Sequence, residues 1–78
     1  MIEKQVIRDF LKTLVGKNVQ FGDSDSLLAS QLIDSLNVGE LIVFLENTYH
    51  ITLDGDDLTP ENLETVNAIA SFLELKGV

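Results

Sequence analysis

Asp34-Ser35-Leu36-Asn37-Val38-Gly39-Glu40-Leu41-Ile42-Val43-Phe44-Leu45-Glu46-Asn47-Thr48-Tyr49 is the stretch on which the fold turns. Projected on a wheel at about 100° per residue, Leu41, Ile42, Phe44, Leu45 and Tyr49 share one broad apolar face, the face expected to meet a core. The other side carries Leu36, Gly39, Glu40, Val43, Glu46 and Asn47, so two aliphatic side chains stand among carboxylates where water should be. Asp and Ser are preferred N-caps, and Asp34-Ser35 marks the point where a loop gives way to this helix. A serine at that point is placed for modification rather than burial. The first N–H groups of a helix have no intrahelical partner and the macrodipole is positive there, so an anionic group tethered to Ser35 sits in a favourable field.

Toward the N-terminus, Ile2, Val6, Phe10 and Leu14 recur every fourth residue with Ile7 and Leu11 beside them. This predicts an amphipathic helix that Gly16 closes as a C′ residue. From Lys17 to Ile33 the periodicity fades through Gly22-Asp23-Ser24-Asp25-Ser26, but Leu27, Leu28, Leu32 and Ile33 imply a long loop pinned across the core. Toward the C-terminus, His50 suits a cap on the long helix, and the turn-rich segment to Leu58 holds Ile51 and Leu53, too few to build a sheet. Thr59-Pro60-Glu61 reads as N-cap, N1 proline and first-turn acid of a short helix that contributes Leu63. Thr65 can cap a last helix with Val66, Ala68, Ile69, Phe72, Leu73 and Leu75 as its apolar residues, Lys76 in its last turn and Gly77 at its end. The expected fold is all-α, three main helices plus one short one, with no internal repeat.

At 78 residues the chain is read as a single domain over 1–78. A domain of this size buries only about 60% of the surface its unfolded chain exposes, which leaves little room for an enzyme cleft. The absence of cysteine excludes a disulfide framework, thiolate catalysis and zinc–cysteine sites, and fits a reducing compartment. The longest unbroken apolar run, Leu41 to Leu45, is far below the roughly 20 residues that span a bilayer, and no basic region precedes an apolar segment at the N-terminus. A soluble, cytoplasmic monomer is expected. The formal charge of −8 is unevenly placed: Lys4, Arg8, Lys12 and Lys17 crowd the first segment, and no Lys or Arg follows until Lys76. That argues against nucleic acid and anionic membrane surfaces and favours basic protein partners.

Catalytic and metal-binding patterns are weak. Asp23-Ser24-Asp25 with Asp34 at the twelfth place suggests a calcium loop, but Leu27 holds the fifth place and Leu28 the sixth, where the tight turn needs glycine. Asp54, Asp56 and Asp57 read as a solvated acidic turn, so no metal site is expected. His50 is the only histidine, and Asp34 is better explained as a cap than as the base of a serine nucleophile, so no catalytic residue is assigned.

From Leu27 onward the chain resembles the phosphopantetheine-dependent carrier proteins, the acyl carrier and peptidyl or aminoacyl carrier family. Leu28, Leu32, Ile33, Asp34, Ser35, Leu36, Glu40, Leu41, Leu45 and Glu46 fall at that family's spacing around its Asp-Ser-Leu motif. Thr59-Pro60-Glu61-Asn62-Leu63 and Thr65-Val66 resemble its third helix and the start of its fourth. The resemblance implies an acyl-carrier-like helical bundle of the freestanding type, not itself an enzyme. It implies that Ser35 accepts 4′-phosphopantetheine from coenzyme A, and that the thiol of this arm holds an intermediate as a thioester for delivery between enzymes of fatty acid, polyketide or nonribosomal peptide biosynthesis. The implied partners are a phosphopantetheinyl transferase, an acyl- or aminoacyl-loading enzyme, and a downstream synthase, transferase or thioesterase. Asp34 and Leu36 would be read by the transferase, and Glu40, Val43 and Glu46 would face basic patches on successive partners. Two positions depart from the fatty-acid carriers: Gly39 stands where a β-branched residue is usual, and Phe44, where a small residue is usual, would fill core volume otherwise open to a long acyl chain. A small or polar cargo is therefore expected. The alternative is an acidic helical module that binds its partner unmodified, through Leu36, Glu40 and Val43.

Overall fold

The computed structural model describes residues 2–16 and 18–78. Lys17, one of the basic residues of the first segment, lies outside them. Helices run over Lys4–Val15 (α1), Ser35–Tyr49 (α2), Pro60–Leu63 (α3) and Val66–Leu75 (α4), with a single 3₁₀ turn at Gly55–Asp57 and no strand among the described residues. This is the expected all-α, acyl-carrier-like bundle of three main helices and a short one. None of these helices is long and apolar enough to cross a membrane.

Each helix end has a local cause. Gly16 takes φ +104°, a conformation costly for any residue with a Cβ, and its N–H reaches the Lys12 carbonyl at 3.0 Å to close α1. His50 enters the left-handed region (φ 56°) and ends α2 through its backbone, its N–H bonding to the Glu46 carbonyl. Pro60 occupies N1 of α3, where a missing N–H costs nothing. Thr59 holds the N-cap position there without a side-chain bond, whereas the Thr65 hydroxyl accepts from the Ala68 N–H at 2.9 Å to start α4.

Ile7, Leu11, Leu27, Leu41, Leu45, Val66, Ile69 and Leu73 form the fully buried centre. α1 contacts both α2 and α4, and α3 packs on α4. The buried line of α1 differs from the row of every fourth residue read in the sequence: Val6 is 40% exposed, while Ile7 and Leu11 are sealed. Residues four apart advance by more than one turn, so such a row drifts about 40° per step around the axis. Ile2 is buried but precedes the helix, which starts at Lys4.

The long loop is pinned as expected, with Leu27 and Ile33 buried and Leu28 and Leu32 packed at the margin. Its backbone is tied down by the Leu27 N–H to the Glu64 carbonyl (2.6 Å) and the Asn67 N–H to the Asp23 carbonyl (3.0 Å). Arg8 adds an ion pair to Asp23 at 2.7 Å and stands 5.1 Å from the centre of the Phe21 ring. Phe21, not among the residues expected to anchor this loop, is buried too.

Candidate functional site

The loop delivers Ile33 into the core, which fixes where α2 begins and leaves the next residues in solvent. Asp34 is extended at the N-cap (φ −117°, ψ −173°) and its Oδ1 accepts from the Asn37 N–H at 3.0 Å. Asn37 Oδ1 accepts in return from the Asp34 N–H at 3.2 Å, which completes a capping box. Asn37 gives no clear signal in the sequence because the usual residue at that place is Glu or Gln.

Ser35 is the first residue of α2, exposed, and takes no part in the capping bonds. The cap occupies the Asn37 N–H, so the Ser35 and Leu36 amides point out of the helix end with the positive pole of a 15-residue helix behind them. Other serines in the loop are engaged: Ser24 Oγ accepts from Asn67, Ser26 Oγ from the Ala29 N–H, and Ser30 donates to the Ser26 carbonyl.

Asp34, Ser35, Leu36, Glu40 and Val43 are brought together on the exposed face of α2. Leu36 is 76% and Val43 56% exposed, so neither serves the core. Glu46 stands apart from this group. It is half-buried, and its Oε2 accepts from the Leu53 N–H at 2.8 Å, clamping the chain that returns after His50. The reason is position: Glu46 lies one turn beyond Ile42, at the margin where the returning segment meets the helix, rather than out on the solvent side.

Two open, mainly apolar grooves flank α2, the smaller at its start and the larger along its length. One, of about 300 Å³, lies toward α3 between Ser35, Val38, Leu28 and the Leu58-Thr59-Pro60 turn. The other, of about 680 Å³, lies toward α1, with Phe10, Leu14, Leu36, Gly39, Val43 and Phe44 among its walls. Phe44 does not enter the core as expected. It is half-buried and stacks face to face on Phe10, with centroids 4.1 Å apart and planes 8° from parallel. Phe44 is turned about 100° around the axis from Leu45, which carries it from the core to the α1 margin. Phe10, a wall of that groove, shows in the sequence only as part of the α1 stripe.

Gly39 stands in the middle of α2, where glycine costs about 1 kcal/mol relative to alanine. A Cβ built there meets no atom within 4 Å, so packing does not demand glycine.

An exposed hydroxyl on N1, open amides beside it and apolar grooves on either side fit a phosphate ester that continues into a long flexible arm. A family model described as "Phosphopantetheine attachment site" matches residues 5–73, from the first turn of α1 to the last turn of α4. No curated protein matches the chain.

Proposed function

The chain belongs to the phosphopantetheine-attachment family, and on that premise we propose that Ser35 is the residue that carries the group. The cofactor is a covalently attached 4′-phosphopantetheine, and the protein is a carrier. When bound, this group supplies a terminal thiol on which an acyl or aminoacyl unit is held as a thioester. The observation that supports Ser35 is its place: an exposed hydroxyl on the first residue of the longest helix, outside the capping bonds that its neighbours make. Asp34 fixes the helix start, so the Ser35 Oγ is presented on a rigid element and not on a mobile loop. The open Ser35 and Leu36 amides would be available to a phosphate carried on Ser35, and the helix field would offset the repulsion from the nearby Asp34 carboxylate.

The chain itself is non-catalytic in this reading, a single carrier domain that offers an address to others. Leu36 and Val43 supply exposed apolar contacts and Asp34 and Glu40 the charge, for docking patches rich in Lys and Arg on a phosphopantetheinyl transferase, a loading enzyme and a downstream synthase, transferase or thioesterase. With a net charge of −8, encounters are electrostatically steered, which gives fast association without long residence. Phe44 lies at the α1 margin and not in the core, but the open grooves beside α2 do not enclose a long chain and so favour a short cargo: an amino acid, a short acyl group or a polyketide starter. The apolar walls of both grooves favour apolar units within that set over polar ones.

The test is intact mass after incubation with coenzyme A, magnesium and a broad-specificity phosphopantetheinyl transferase. One added phosphopantetheine is expected on the natural chain and none on Ser35→Ala. Modification of Ser35→Ala, or no gain on either folded protein while a control carrier is modified alongside, overturns the assignment.

A further inference from the structure

We propose that the groove between α1 and α2 receives the cargo carried on Ser35, and that the unit it takes is a flat apolar one, an aromatic acyl or aminoacyl group. The inference rests on Ser35 as the attachment point. Ser35 and Gly39 are one turn apart and therefore neighbours on the helix surface. Gly39 has no side chain and open space above it, so bare backbone leads from the attachment serine to the groove; any side chain there would stand between them. Beyond Gly39 the wall is the Phe44 ring, held in place by its stack on Phe10, with Leu14 beside it. Leu36 and Val43, both largely exposed, form the rim and gain cover when a flat group lies against Phe44.

The occupant follows from the tether. An open groove of about 680 Å³ holds a free small molecule poorly, but a group linked to the neighbouring residue is present at an effective concentration of roughly millimolar, enough to populate a weak site. The groove toward α3, about 300 Å³, is less than half as large and lacks an aromatic wall.

The experiment loads the protein enzymatically with two coenzyme A analogues, a hydrolysis-stable phenylacetyl amide and its acetyl counterpart, and records two-dimensional NMR spectra after intact mass has established loading. Nuclear Overhauser contacts from the phenyl protons to Phe44, Leu14 and Val43 are expected, with shifts at those residues at least threefold larger than with the acetyl arm. Gly39→Val should accept the arm to the same mass and lose those contacts. Gly39→Ala, a helix-favouring change that secures a folded comparison, should weaken them. Contacts instead to Leu28, Val38 and Leu58, or none at all in a loaded protein, overturn the proposal and leave Ser35 as the attachment point intact. Absence of loading on the natural chain removes the attachment reading and the inference with it. Concentration-dependent shifts at Phe44 and Val43 in the unloaded protein would assign the groove to a second copy of the chain and likewise overturn it.

Discussion

Asp34 stands beside the proposed attachment serine and holds the helix that presents it, so the capping role and the proposed recognition role meet on one carboxylate that substitution can divide. Asp34→Ala removes the acceptor of the 3.0 Å bond from the Asn37 N–H and leaves that donor to water. Loss of such a cap costs about 1 kcal/mol, within a range of about 0.5–2. A domain of 78 residues has roughly 4–12 kcal/mol of total stability, so the change is a visible fraction of it. In thermal unfolding followed by circular dichroism it should lower Tm by about 4–8 °C. Asp34→Asn keeps the acceptor and loses only the charge at the positive end of α2, a matter of about 0.3–1 kcal/mol, so its Tm should fall less. The two variants then separate the roles. If the transferase reads the carboxylate, Asp34→Asn is modified several-fold more slowly although it remains well folded. An unchanged Tm in Asp34→Ala refutes the capping argument, and wild-type modification of Asp34→Asn refutes recognition of the charge.

Glu46→Ala should cost about 1.5–3 kcal/mol in urea unfolding, because it strands the half-buried Leu53 N–H, whereas Glu46→Gln retains an acceptor and should cost less; equal stability of all three proteins would show that the clamp contributes nothing. A second prediction concerns pH. The Asp54 N–H and then the Lys76 ammonium hold the Asp57 carboxyl below its ordinary value of 3.8, and the same contact with Asp57 raises Lys76 above 10.5. A depressed carboxyl stabilises above its unfolded pKa and loses that contribution as pH falls through the folded one; a raised ammonium stabilises below its unfolded pKa and loses it as pH rises through the folded one. Stability from this pair is thus full between about pH 4 and pH 10.5 and lost at both ends. Lys76→Met should flatten the profile of urea midpoints at the alkaline end and only partly at the acid end, where the Asp54 N–H still holds the Asp57 carboxyl down, and an unchanged profile would show that the pair is not felt.

The helix starts were readable because capping chemistry is local. Asp34, Thr59-Pro60 and Thr65 announce three helices within a few residues each, and the wheel assigned Leu41 and Leu45 to the core and Leu36 and Val43 to solvent from spacing alone. What failed was set by partners distant in sequence. Whether Glu46 faces a partner or its own chain depends on where Leu53 returns after the turn at His50, and nothing in the α2 pattern records that. The wheel puts Phe44 on the core side, but its place is decided by Phe10, 34 positions earlier, which offers a ring to stack on. Phe21 is buried inside a polar loop because Arg8 reaches over it from α1 while bonding to Asp23. No periodicity links those three residues.

The same bonds explain why one face stays free. The loop segments without regular structure are each held by polar contacts to another element: Arg8 and Asn67 hold the loop before α2, Glu46 the segment after it, and Lys76 the turn before α3. Among the described residues, the basic side chains of Arg8 and Lys76 are engaged in this way within the fold. No Lys or Arg occurs between Lys17 and Lys76, so α2 carries no cation of its own, and Asp34 and Glu40 keep their charge on the surface that carries Ser35. A carrier must be recognised by several enzymes and released by each. In the proposed reading, exposed acids beside two uncovered aliphatic side chains would give long-range attraction with little buried area, so that affinity stays modest while encounter stays fast. The rigid part of the fold fixes where Ser35 points, and the unpaired part decides what approaches it.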